Sequence, residues 1–298
     1  MRTTTTIAGV LTASLCATHA VVAAEPQRIE PTSQWVLDYA DEHCSLARTF
    51  GSDDTAATLR ISSYGSWNVF ETFLAGPLIP RGIGPYGSVR IAFPPDTEKR
   101  DLVFVLKGTA NAQPAVSFDT YFGPYDARNK GKRLIGDDRM RAILDRDRPY
   151  PQFDAQIDRI TLNFDNAAPM TLHVENMAPP LAALRACVDD LYKSWGLDPS
   201  VQKALSRRAQ PLPLTVAELE RHYPANELGK GTNARVRVRI KIDPSGQPTS
   251  CVVETKSTDE LFRKTVCDHL KGGFEPALDN GGRAVESVFF TAVNFMGS

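Results

Sequence analysis

The chain has almost no net charge to work with. Its 34 Lys and Arg stand against 35 Asp and Glu, a formal charge of −1, and no run of like charges is long. The basic face of a nucleic-acid binder and the cationic arm of a lipid-surface protein are therefore both missing. Metal signatures are missing too: there is no Cys-x-x-Cys and no pair of His at i, i+4. Glycines cluster in Gly82-Ile83-Gly84-Pro85-Tyr86-Gly87, but they do not lead from a strand into a helix, so a phosphate loop is excluded. Beyond residue 24 no apolar run is long enough to span a bilayer. Nothing in the sequence calls for a cofactor or a small-molecule substrate.

Cysteine is scarce, with five in 298 residues. Cys16 lies in an N-terminal stretch that reads as a signal peptide, residues 1–24. Arg2 gives a weak positive start, Ile7 to Ala24 is apolar or small, and Val22-Ala23-Ala24 precedes the polar Glu25-Pro26. The competing reading is an uncleaved inner-membrane anchor. The many Thr, Ser and Ala residues, and His19, argue against it. Cleavage leaves Cys44, Cys187, Cys251 and Cys267, an even count that suggests disulfides in an exported chain. Their three connectivities stay open at this point.

At 42% hydrophobic and 23% charged, the chain can fill a core, and its length suits about two domains. Short β-branched and aromatic runs separated by Gly/Pro turns dominate residues 25–200. They include Trp35-Leu37-Tyr39, Thr58–Ile61, Trp67–Leu74, Val89–Phe93, Leu102–Leu106, Val116–Phe122, Ile160–Phe164 and Met170–Val174. Cys44, Ala47 and Phe50 are spaced more like a helix or turn. Met140–Leu144 reads as a short helix. Pro180 to Trp195 is a clearer one, with Leu181, Leu184, Val188, Leu191 and Trp195 on one face and Gly196 as its stop. The expectation is a mainly-β domain closed by a helix. Residues 201–214, polar and then Pro-punctuated, read as a linker.

Residues 215–298 follow another plan. Thr215-x-x-Glu218 opens a short helix. Ala234 to Ile242 alternates apolar residues with Arg and Lys, which predicts a strand with one face in a core and one in water. Asp243-Pro244-Ser245-Gly246 turns the chain into a strand around Cys251. Ser257-x-x-Glu260 starts a second helix with Leu261, Phe262, Val266 and Leu270 inward, and Gly272-Gly273 stops it. Phe274-Glu275-Pro276 and the run Val288–Phe295 complete the order. The whole is α+β.

Tyr223-Pro224, the alternating strand, Asp243-x-x-Gly246, the helix, Phe274-Glu275-Pro276 and the last strand resemble, in order and spacing, the C-terminal domain of TonB energy transducers, over residues 215–296. The resemblance implies a three-stranded antiparallel sheet with helices on one face. It also implies a protein partner, an outer-membrane transporter or another envelope component, that adds a strand beside the last one. The implied contact residues are His222, Tyr223, Pro224, Val288, Phe290, Ala292 and Asn294. The long Pro-rich spacer of the transport-driving members is not found, and a β-rich domain takes its place. Cys251 and Cys267 are additional to the best-known members. On the strand and helix that the resemblance supplies they can face each other and pair, which leaves Cys44 with Cys187.

The function expected from these readings is a periplasmic, non-enzymatic protein-binding module. The alternatives are a membrane-anchored transducer and an enzyme in the first domain. For the latter, Asp41-Glu42-His43-Cys44 could hold a Cys/His pair, but a bridged sulfur is no nucleophile. His173 and His269 read as structural, Asp137–Arg148 as solvated surface, and Trp35, Trp67 and Trp195 as core.

Overall fold

A computed structural model describes residues 27–84, 89–102, 105–125, 144, 147–221, 233–254, 260–270 and 272–296. The signal-peptide stretch, most of Met140–Leu144, His222-Tyr223-Pro224 and Ser257 lie outside the described residues.

The chain opens with eleven strands: β1 Gln27–Ile29, β2 Val36–Tyr39, β3 Cys44–Phe50, β4 Ala57–Ser63, β5 Val69–Ala75, β6 Val89–Phe93, β7 Asp96–Asp101, β8 Leu106–Ala110, β9 Gln113–Tyr121, β10 Arg159–Phe164 and β11 Ala167–His173. They form a six-stranded sheet in the order β2-β3-β4-β5-β9-β8 and a five-stranded sheet in the order β1-β11-β10-β6-β7. All pairs are antiparallel except β1 with β11. The sheets share one apolar core. Leu46, Ile61, Phe70, Leu74 and Phe118 come from one sheet, and Ile91, Phe93, Ile160, Leu162 and Leu172 from the other. Period-2 alternation, polar out and apolar in, is what lets the central strands serve this core.

Strand β7 ends before the Leu102–Leu106 run and β8 begins at its last residue, with residues 103–104 outside the described ones. Cys44–Phe50 is a strand rather than a helix or turn. Its spacing misleads because Ser45, on the outward face, is also buried, so the alternation is blurred.

A one-turn helix α1, Pro151–Asp154, precedes β10. The long helix α2, Ala178–Ser194, follows β11. Its Leu181, Leu184, Val188 and Leu191 join the core, and Cys187 bridges to Cys44. Gly196 ends the helix at φ +76, where L side chains are strained. The stretch expected as a linker carries secondary structure of its own. Helix α3, Pro199–Lys203, is capped by Asp198, and β12, Gln210–Pro211, follows. Leu205 and Ala209 belong to the second core.

That second core lies under the C-terminal sheet. Helix α4 spans Pro213–Arg221, β13 Asn233–Ile242, β14 Pro248–Val253 and α5 Glu260–His269. Three two-residue strands follow, β15 Phe274–Glu275, β16 Ala277–Leu278 and β17 Ala284–Val285, and then β18 Ser287–Met296. The sheet order is β14-β13-β18, antiparallel throughout. Val236, Val238, Ile240 and Ile242 point toward Val266 and Leu270 of the α5 segment. Cys251 on β14 bridges to Cys267 on α5. β15 pairs with β12, which ties residues 210–211 into this unit.

Candidate functional site

Two features of the C-terminal sheet bear on function: a bare edge and a covered face. The edge is β18. It is bonded to β13 from Ser287 to Met296, and among the described residues no strand pairs with its other side. Its sequence, SVFFTAVNFM, is β-branched and aromatic with no Pro, which suits an extended ladder.

The covered face is the one expected in water. Arg235, Arg237 and Arg239 alternate with the apolar residues of β13 as predicted, but they meet the outer face of the six-stranded sheet rather than solvent. Arg237 Nε donates to Glu71 Oε2 at 2.9 Å, and its Nη2 pairs with Asp119. Arg235 lies 3.7 Å from Asp119 and donates to Asn294 Oδ1 at 2.9 Å. Arg239 pairs with Glu42 and lies 3.6 Å from Glu254, and its guanidinium sits 4.0 Å over the Trp195 ring. Lys241 reaches Glu286 at 3.2 Å. Glu42 precedes β3, Glu71 is on β5 and Asp119 on β9, so β13 crosses the strands beneath it. The molecule stacks three sheet layers, the outer two of them joined to the middle one by opposite faces.

The sequence-predicted partner residues sort across these two features. Val288, Phe290, Ala292 and Asn294 share the face of β18 that looks at the N-terminal unit, opposite Lys241, Arg239, Arg237 and Arg235 in register. Val288 is buried. The Phe290 ring packs on Trp195 and edge-on to Tyr192 and lies over Gly65. A Cβ at Gly65 would come within 2.2 Å of that ring, and the backbone there sits at φ +113. Glycine is thus required twice at this contact. His222, Tyr223 and Pro224 are not among the described residues.

Burial tunes the charges in the covered face. At Glu71 burial works to raise the carboxyl, but Arg237, the Ser117 hydroxyl and Arg235 outweigh it and hold it below the usual carboxylate range. At Glu254 burial wins over Arg239 and Arg237, with Glu42 adding to it, and the carboxyl is pushed up to about 8. Burial also raises Tyr64, whose ring lies 4.9 Å beneath the Arg237 guanidinium.

Elsewhere, Cys44, Cys187, Cys251 and Cys267 are all bridged, so the Asp41–Cys44 run holds no thiol nucleophile. A cavity of about 170 Å³ opens beside β8 and β9. Arg81 and Lys107 line it, and no carboxylate or His does. Among the described residues no group of three or more His, Cys, Asp or Glu is placed to hold a metal ion.

The sheet order, the helix over one face and the terminal edge strand have the arrangement that the sequence resemblance implied. Residues 220–296 match the family described as Gram-negative bacterial TonB protein C-terminal. No curated protein and no solved structure matches the chain. The TonB C-terminal match covers about a quarter of the 298 residues. A domain of this type implies an envelope location and a protein partner. Among the described residues no helix is long and apolar enough to cross a membrane. The docking residues Glu42, Glu71, Asp119, Tyr64 and Trp195 escaped sequence reasoning. The one available signal was the excess of Arg over Lys on the polar face of β13, since Arg is the cation suited to buried, stacked and multi-contact pairing.

Proposed function

We propose that the protein is an exported, periplasmic, non-enzymatic recognition protein of two units, residues 25–200 and 215–298 joined through 201–214. Its TonB-type unit takes an extended segment of a partner as a fourth strand beside β18. The partner class is an outer-membrane transporter or another envelope protein that presents such a segment. The observation that carries the reading is the ten-residue β18, hydrogen-bonded to β13 on one side and, among the described residues, to no strand on the other. Such an edge offers a row of N–H and C=O groups to another chain. His222, Tyr223 and Pro224 would flank the added strand, and the backbone at Val288, Phe290, Ala292 and Asn294 would lie along it. Docking of the Arg face onto the N-terminal unit holds the edge on a firm body, which lowers the ordering entropy lost on capture.

Adjacent residues of an antiparallel strand send their N–H groups to opposite edges. Proline at Thr291 and proline at Ala292 therefore separate two roles. One variant loses a bond to β13 and unfolds at lower denaturant. The other keeps the fold and denies one bond to the incoming strand. The fold-neutral variant is expected to capture the partner from outer-membrane extract at least about tenfold less well than wild type, since a displaced added strand loses several backbone contacts together. Equal capture by that variant would remove strand addition from consideration. The export half of the reading places the mature N-terminus at Glu25. N-terminal sequencing of envelope-fractionated protein tests it, and a chain starting at Met1 would favour the anchored transducer instead.

A further inference from the structure

The covered face of β13 contains an unequal count of charges. Three guanidinium groups, Arg235, Arg237 and Arg239, face four carboxylates, Glu42, Glu71, Asp119 and Glu254. Lys241 and Glu286 pair with each other at the end of the row. Arg60 is exposed on the same outer face, over Phe73, and His43 stacks on Tyr64 at the margin. With every acid ionised the face carries one negative charge in excess, and only Glu254 holds its charge fully buried: Glu42 and Glu71 are half-buried, and Asp119 is 41% exposed and screened by water.

The four carboxylates are not equivalent. Glu71 accepts from Arg237 and Ser117, Asp119 accepts from Arg237, and Glu42 accepts from Arg239. Glu254 is 4% exposed. Its Oε1 has no hydrogen-bond partner, and its nearest cation, the Arg239 Nε at 3.6 Å, is likewise unbonded. Arg239 has spent its better geometry on Glu42. Glu254 follows β14, one residue beyond the Val238–Val253 pair, so register sets it opposite Arg237 and on the Arg face, and its backbone N–H donates to the Arg237 carbonyl at 2.9 Å. The groups that face it are Arg239 and Arg237 from β13, Glu42 from the turn before β3, and the Tyr64 and Tyr192 phenols.

We infer that docking of the TonB-type sheet onto the N-terminal unit takes up one proton at Glu254, so the interface between the two units is a pH-responsive latch that loosens as the medium becomes alkaline. Protonation leaves three ionised acids against three guanidinium groups and turns a carboxylate whose Oε1 is buried without a hydrogen bond into a neutral carboxylic acid. The alternative is a buried ion held only by a 3.6 Å contact to a guanidinium already engaged by Glu42, and it is costly. The latch does not require strand addition at β18, because it concerns the covered face of the sheet and not its free edge.

The sign follows from linkage. In the docked state the Glu254 carboxyl titrates at about 8, and when exposed it returns to the ordinary value of about 4.3. Its folded value is raised, so its contribution to docking is fully present below the exposed value, declines as pH rises between the two, and is gone above about 8.

The reporter is Ser62→Cys in the full chain. Ser62 is 4% exposed on the covered outer face, opposite Glu71 in register, and the four mature cysteines are bridged. Its labelling rate, divided by that of the unfolded chain at the same pH, gives the opening constant. That constant is expected to rise up to about tenfold per pH unit between about pH 5.5 and 7.5 and to level off above about pH 8.5, the signature of one proton. Adding Glu254→Gln should make the profile flat. Adding Glu42→Gln restores the charge balance with Glu254 ionised, so the rise should level off at lower pH. A flat profile without these changes, a slope that survives Glu254→Gln, or an unmoved levelling-off in Glu42→Gln would each overturn the latch.

Discussion

Removing the Cys44–Cys187 bridge is expected to destabilise the protein by about 4–5 kcal/mol, the larger of the losses tied to its two cross-links. The two residues are 143 apart in sequence, and the entropy a cross-link removes from the unfolded chain grows with the logarithm of the closed loop. The bridge fastens the start of β3 to the middle of α2, across the inner face of the six-stranded sheet. Both cysteines are essentially fully buried, so the double variant Cys44→Ala/Cys187→Ala leaves the site apolar and isolates the cross-link. The Cys251–Cys267 bridge spans only 16 residues, and the same relation gives about 3 kcal/mol for it. Urea unfolding of the two double variants measures both. A smaller loss from Cys44→Ala/Cys187→Ala than from Cys251→Ala/Cys267→Ala would show that the unfolded-chain account does not hold for this protein.

Arg237→Ala is expected to cost about 3 kcal/mol, in the range found when one partner of a buried ion pair is deleted and the other left behind. Arg237 is the centre of the docking face. It bonds Glu71 and Asp119, and its guanidinium lies over Tyr64. Its removal leaves Glu71 without its cation at a site where burial already opposes charge. Arg237→Lys should recover part of the loss but not all of it, since an ammonium cannot bond both carboxylates and cover the ring in one geometry. The unfolding midpoint in urea for wild type and the two variants decides it. A loss below about 1 kcal/mol would place the pairs in the class of solvated surface bridges.

Strand positions in the N-terminal unit were legible because alternation survives in sequence: Val116–Phe122 overlaps β9, Ile160–Phe164 lies within β10, and Met170–Val174 overlaps β11. Helix α2 was legible from its apolar stripe and its Gly196 stop. Both disulfides follow from the elements that the C-terminal resemblance placed. The N-terminal unit's role as a docking platform was not legible. Alternation along β13 says which residues share a face, and says nothing about what lies against the second face. An Arg-rich face reads as solvated until Glu42, Glu71 and Asp119, which come from three separate places in the chain, are brought beneath it. Trp195 packs against the core as read, but its second role, at the interface with Arg239 on its ring and Phe290 at its side, was not legible. Asp147 falls in a run that reads as surface, but it accepts from Ser66, the Trp67 backbone and Arg208 together.

The parallel pairing of β1 with β11 has a bearing on how the chain acquires its shape. Gln27 lies opposite Met170 and Ile29 opposite Leu172, so the first residues of the N-terminal unit close a sheet edge whose partner emerges some 140 residues later. Cys44 must wait similarly for Cys187. Contacts of such long range form late and set a slow tempo. A chain delivered N-terminus first therefore stays loose until residues near 187 are free, a condition suited to passage through a membrane in extended form and completion on the far side.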